Sequence, residues 1–181
     1  MEPISCTITG HRPTRFKFKY KEDYSLCKKI KRNLSTVLSA MYEQGVRRFY
    51  VGGALGVDMW AGEAIAAMKK QPQYADVELF CILPFPGYDI KWDDKSKRRM
   101  SAIRAASDQT MYTGQLETQD AYKRRNYYMV DHSHYMIAVY DQNHKIRSGT
   151  GQTVNYALKC GQIITYIHPD TGAITLPPPA E

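Results

Sequence analysis

Three segments of this 181-residue chain combine glycine with hydroxyl, cationic or carboxylate side chains: Thr9-Gly10-His11-Arg12-Pro13, Gly52-Gly53-Ala54-Leu55-Gly56-Val57-Asp58 and Ser148-Gly149-Thr150-Gly151-Gln152-Thr153. Glycine at a strand-to-helix turn lets backbone approach a phosphate closely. The helix that follows offers free N–H donors and partial positive charge. His11 and Arg12 are placed to reach such a phosphate. Asp58 has two readings of equal weight, a carboxylate on first-turn N–H groups or a hydrogen bond to a ribose hydroxyl or base. Gly52-x-x-x-Gly56 is not the dinucleotide fingerprint, and Ser148-Gly149-Thr150-Gly151 lacks the Gly-Lys of a Walker loop. Phe85, Tyr88 and Trp92 form an aromatic group that could stack on a base or cover the sheet edge. Lys123-Arg124-Arg125 lies in a helical pattern, where three consecutive side chains cannot share one direction. At least one must turn inward or toward the ligand edge.

These residues need a scaffold, and the hydrophobic pattern supplies one. Strand-like runs at 4–9, 49–51, 77–83, 109–112, 135–140 and 163–167 alternate with helical patterns at 24–44, 57–70, 92–106, 119–132 and 150–159. Asp23 is expected to cap the first helix and Gly45 to stop it. Alternation of this kind predicts a single α/β domain of Rossmann type over residues 1–176, a mostly parallel sheet with helices on both faces. Residues 177–181 read as a flexible proline-rich tail. Nearly every unusual residue follows a strand, so one sheet edge collects them, and ligands of such sheets bind outside the carboxyl ends of the strands.

Composition narrows the partners. Hydrophobic residues make up 43% of the chain, enough for a core, and no apolar run approaches the roughly 20 residues of a membrane span. The N-terminus shows no secretory leader pattern. Four scattered cysteines, with no C-x-x-C pair, read as reduced thiols in a cytoplasmic protein. No His/Cys/Asp cluster has metal-ligand spacing. The formal charge is +7, and residues 1–32 hold nine Lys/Arg against three acids. That bias favours phosphate-bearing partners, whether a small ligand or a polymer.

Taken together, the three glycine segments resemble the YpsA-like branch of the SLOG superfamily, which also includes the Lonely Guy (LOG) phosphoribohydrolases and the Smf/DprA DNA-processing proteins. The likeness runs from Ile4 to about His168. It implies a Rossmann-like fold, a nucleotide-derived ligand and often a homodimer. It calls for no required cofactor and admits a nucleotide or ADP-ribose-like ligand. The LOG Arg-Lys-x-x-Met segment is similar to Arg125-Asn126-Tyr127-Tyr128-Met129. Their Pro-Gly-Gly-x-Gly-Thr-x-x-Glu motif aligns with Arg147 through Asn155, so Asn155 stands in the place of the family glutamate. Asparagine cannot take a proton as that glutamate can, which disfavours LOG-type hydrolysis. The DprA-like branch carries a glycine loop similar to Gly52–Asp58. The leading expectation is therefore a sensor or regulatory protein that binds a nucleotide-like phosphate ligand. A phosphoribohydrolase is the first alternative, and single-stranded nucleic-acid binding through the basic N-terminal region is the second.

Overall fold

The computed structural model describes residues 1–180. Seven strands form one sheet: β1 Ser5–Gly10, β2 Arg48–Val51, β3 Glu78–Leu83, β4 Gln109–Tyr112, β5 Tyr135–Val139, β6 Ile163–Ile167 and β7 Ile174–Thr175. Five helices connect them: α1 Ser25–Glu43, α2 Val57–Lys69, α3 Asp94–Ala106, α4 Ala121–Asp131 and α5 Gly149–Lys159. The strand order is β4-β3-β2-β1-β5-β6-β7, parallel throughout except for β7, which pairs antiparallel with β6. The α/β class and the parallel sheet are as the alternation predicts. The two-residue β7 is too short to leave a periodic signal of its own.

Alternation along each strand assigns the two faces. On one face Cys6 and Ile8 of β1, Phe49 and Val51 of β2, and Leu79 and Cys81 of β3 pack with the buried stripe of α1, which includes Ile30, Leu34, Val37 and Leu38. Trp60 and Ile65 of α2 and Met100 and Ile103 of α3 complete that core. On the other face α4 and α5 pack Val130, Val154 and Ala157 against Met136, Ala138 and Ile164. Met129 of α4 lies with Tyr50 and Ile82 in a smaller cluster. Period-2 strands and 3.6-period helices meet here as their patterns require.

The helix boundaries follow local chemistry, with one correction. Asp23 does not cap α1: the preceding residue is Tyr24, and no side chain caps that end. Gly45 does stop it, at φ +100°. Asp93 caps α3 by accepting the N–H of Ser96 at 2.9 Å, and Ser148 caps α5 by accepting that of Gly151 at 3.0 Å. Cys6, Cys27 and Cys81 are buried free thiols, while Cys160 is exposed just past α5. No described helix is long and apolar enough to cross a membrane.

Candidate functional site

The chain steps outward from β1 through β2, β3 and β4, then returns to the other side of β1 with β5 and β6. The order therefore reverses between β1 and β5, where the loops beyond their carboxyl ends must part. A cavity of about 300 Å³ lies there. Its walls come from Thr9 to Arg12 at the end of β1 and just beyond it, Ala54 before α2 and Asp58 in its first turn, Tyr122, Arg125 and Asn126 of α4, and Gly149 and Thr150 at the start of α5. Chain segments more than 100 residues apart meet at this one crevice.

Its cationic and polar groups differ in how far they are already engaged. Arg12 is exposed, lies 4.8 Å from the Tyr122 ring centroid, and pairs with no carboxylate among the described residues. Arg15, one turn further on, is committed: it reaches Asp141 at 3.0 Å and Asp170 at 3.3 Å, tying three loops together. His11 is 8% exposed, with Nδ1 3.3 Å from the Thr150 hydroxyl and Nε2 without a partner. Burial and then the Arg15 charge push its pKa down to about 4, against the pull of Asp141 and Asp170. At neutral pH it is an uncharged imidazole with one nitrogen unsatisfied. At the α5 terminus the Ser148 side chain takes the Gly151 N–H and its carbonyl takes that of Gln152. The N–H groups of Gly149 and Thr150 remain unpaired, as the first turn of a helix leaves them.

Arg125 is the residue of the Lys123-Arg124-Arg125 run that turns inward; its two neighbours are exposed. At 3% exposure it donates from one terminal nitrogen to the Gly52 carbonyl and, at 3.5 Å, to that of Ile82, while Nε reaches Asn126 Oδ1 at 2.7 Å. It thus ties together the ends of β2 and β3. Asp58 is buried beside it and accepts the Ala54 N–H at 3.2 Å. Of the two sequence readings, the backbone contact is present, but to the loop rather than to the first helical turn. Burial raises the Asp58 pKa while the Arg125 charge opposes the rise, and burial lowers that of Arg125 while Asp58 opposes. Each group lessens the cost of the other's desolvation.

The glycines divide into two kinds. A Cβ on Gly52 would lie 2.6 Å from the Arg125 guanidinium and 2.7 Å from an Asp58 oxygen. Gly53 has φ +73° and would press a Cβ to 2.5 Å from a Leu83 methyl. Gly56, at φ +89°, would strike the His11 carbonyl at 2.6 Å, and Gly10 would strike Val57 at the same distance. Gly151 is tighter than ordinary contact, 2.9 Å from the Tyr140 hydroxyl. A Cβ on Gly149 would meet nothing within 4 Å.

Several expected residues lie elsewhere. Trp92 packs edge-on against Tyr88 at 5.4 Å and borders a small recess beside the cavity, with Arg12 and Tyr122. Tyr88 and Phe85 are buried, and the Tyr88 hydroxyl donates to the Gly53 carbonyl at 2.8 Å. Their role is cover and support. Thr153 is buried and donates to the Gly149 carbonyl at 2.9 Å within its own helix. Gln152 and Asn155 are exposed on the outer side of α5. There they line a separate groove of about 560 Å³ with Tyr127, Tyr140, Arg147, Tyr156 and Lys159, which Gly149 also borders. Asn155 therefore does not share a cavity with Arg125 and Asp58. Sequence reading missed Tyr122, whose ring lies 4.8 Å from the Arg12 guanidinium carbon and 5.6 Å from that of Arg125. The signal was available: Tyr122 sits three residues before Arg125, on the same helix face.

Similarity to known proteins fits this geometry. The chain is 28% identical over 136 residues to a UPF0398 protein of Staphylococcus epidermidis, covering 74% of this chain and 71% of that protein. It is 29% identical over 139 residues to the UPF0398 protein YpsA of Bacillus subtilis, covering 74% of each. Among solved structures, DNA processing protein A from Helicobacter pylori, described for its single-stranded DNA binding mode, superposes with a TM-score of 0.57 at 17% identity. That match covers 91% of this chain but 65% of the other, so what is shared is the fold. A family model described as the YspA SLOG family matches residues 6–171, and the chain belongs to that YpsA family of SLOG proteins.

Proposed function

We propose that the cavity between β1 and β5 binds a nucleotide-like or nucleotide-derived phosphate ligand, and that the protein acts as a sensor or regulator. The observation that carries this reading is the set of unengaged groups on residues sharing one cavity: the Arg12 guanidinium, the Gly149 and Thr150 N–H groups, and Nε2 of the neutral His11 ring. Cation, helix terminus and neutral donor together suit a phosphate dianion. Asp58 and Asn126, on the same wall, suit sugar hydroxyls. Arg125 supports this site through the strand ends with Nε and Nη1, which are bonded to protein oxygens, while its remaining terminal nitrogen is left for the cavity it lines.

The test is thermal denaturation with a panel of nucleoside monophosphates, sugar phosphates and dinucleotides. A ligand at about 100 times its Kd adds roughly 2.7 kcal/mol of apparent stability. Arg12→Gln, which replaces an exposed side chain, should cancel that gain and leave the unliganded melting temperature in place. A panel without any shift would remove the reading. Hydrolysis is not expected to accompany binding: Asn155 lacks a carboxylate and lies in the outer groove. Release of free base from AMP should stay at the level of buffer alone.

A second reading, single-stranded nucleic-acid binding, draws support from the Helicobacter pylori neighbour and from the net charge of +7. The basic N-terminal segment is a weaker candidate for it than its composition implies. Arg15 is held by Asp141 and Asp170, and Lys31 by Glu22.

A further inference from the structure

The outer surface of α4 and α5 carries several depressions that share lining residues. The 560 Å³ groove on α5 meets the switch-point cavity at Gly149. Through Tyr127 it adjoins a hollow of about 400 Å³ on α4, lined also by Lys123 and Arg124. That hollow shares Tyr128 and Asp131 with a fourth recess of about 450 Å³, which reaches Arg48, His132 and His134 at the opposite edge of the sheet. Four adjoining depressions thus make one path from the carboxyl edge of the sheet to its amino edge.

Aromatic rings and cations alternate along that path. Tyr127 and Tyr156 stack face to face at 3.8 Å and 6°, joining α4 to α5. Tyr128 stacks on His132 at 3.9 Å. All four rings are partly or fully exposed. Lys123 lies 5.4 Å from the Tyr127 ring centroid, and Lys123, Arg147 and Lys159 pair with no carboxylate among the described residues. The acids beside them are engaged: Asp131 accepts the Tyr156 hydroxyl at 2.6 Å, and Asp120 faces Arg124 at 3.6 Å. The basic segment near the N-terminus differs, because its exposed Tyr20 and Tyr24 line none of these depressions.

We propose that this α4–α5 path is a binding groove for single-stranded nucleic acid, with bases on the tyrosine rings and backbone phosphates on Lys123, Arg147 and Lys159. The proposal deepens the second reading above, giving it a surface other than the N-terminal segment. Ring faces accept any base, and spaced cations follow a phosphate backbone, which is the combination that sequence-tolerant single-strand binders use. The helix dimensions suit it too, since the 11 residues of α4 extend about 16 Å.

Fluorescence anisotropy of the full chain with labelled oligothymidine of about 12 nucleotides, inside the roughly 4–16 that an OB fold covers, tests this at low salt. Tyr127→Leu and Tyr156→Leu, made separately, should each weaken binding about tenfold. Arg147→Gln combined with Lys159→Gln should reduce the salt slope by about 1.4. Melting curves of each variant identify any that loses the fold. Absence of oligonucleotide binding at low salt would overturn the proposal. So would binding that survives these changes and is lost on replacing Lys17, Tyr20 and Lys21. A parallel thermal shift with AMP separates the two readings. If the whole panel, AMP included, gives no shift while oligonucleotide binding depends on Tyr127 and Tyr156, the small-ligand reading fails and the groove stands. If AMP binds through Arg12 and the oligonucleotide does not bind, the groove fails alone.

Discussion

Two glycine loops face the same crevice and do different work. In the loop from Gly52 to Gly56, the absence of side chains is a demand of the fold. Arg125 and Asp58 fill the space beside Gly52, and Gly53 and Gly56 hold positive φ. At Gly149 nothing in the protein occupies the Cβ position, and φ is ordinary. The first loop is packed scaffold, with two buried opposite charges, Arg125 and Asp58, set against the strand ends. The second leaves room, beside free N–H groups, for something outside the chain. A glycine in a strand-to-helix turn is thus not one signal but two, and only its neighbours in space tell them apart.

The contrast can be broken from the scaffold side first. Arg125→Met takes a buried positive charge away from the neighbourhood of buried Asp58 and leaves the Gly52 carbonyl without its donor. A loss of about 3–5 kcal/mol is expected by denaturant unfolding. A loss under about 1 kcal/mol would mean that Arg125 is not structural. Gly53→Ala should cost about 2–4 kcal/mol, adding left-handed strain to a clash with Leu83. Gly149→Ala, by contrast, should change stability by less than about 0.5 kcal/mol, while lowering affinity for any ligand that raises the melting temperature. Equal losses at Gly53 and Gly149 would erase the distinction.

Protonation of His11 gives an intermediate effect that sharpens it. Its folded pKa of about 4 lies below the ordinary histidine value near 6.5. Between those values the unfolded chain binds the proton and the folded one does not. Stability conferred by the neutral buried ring is therefore full above about pH 6.5 and declines as pH falls toward about 4. The loss should reach roughly 3 kcal/mol, and His11→Gln should flatten that part of the profile. A profile unchanged by that substitution would place the titrating group elsewhere. The smallest effect belongs to Arg12→Gln. With no protein partner to lose, it should stay within about 0.5 kcal/mol in the absence of ligand.

Much of the scaffold was legible because it depends on local periodicity. The stripe through Ile30, Leu34, Val37 and Leu38 of α1 and the run Met136–Val139 of β5 each read correctly from spacing alone. The inward turn of one residue in Lys123-Arg124-Arg125 followed from helix geometry, but its identity did not. The likeness to the LOG segment matched Arg125 to the family arginine without saying which atoms it would meet. Its Nη1 meets the Gly52 and Ile82 carbonyls, contacts 73 and 43 residues away in sequence. Trp92, which could have stacked on a base or covered the sheet edge, packs on Tyr88 and borders a small recess with Arg12 and Tyr122.

The residue pattern by itself determined the α/β class, the parallel sheet and the collection of glycine loops at one edge, since backbone periods of 2 and 3.6 repeat along the chain and need no distant partner. The partition of that edge was decided only in three dimensions. Which glycines are crowded, which arginine is already bonded, and whether Asn155 shares a cavity with Arg125 all depend on how α4 and α5 lie across β1 and β5. Those packings bring together atoms separated by more than 100 residues, and desolvation, charge and steric contact are functions of distance in space, not of position in sequence.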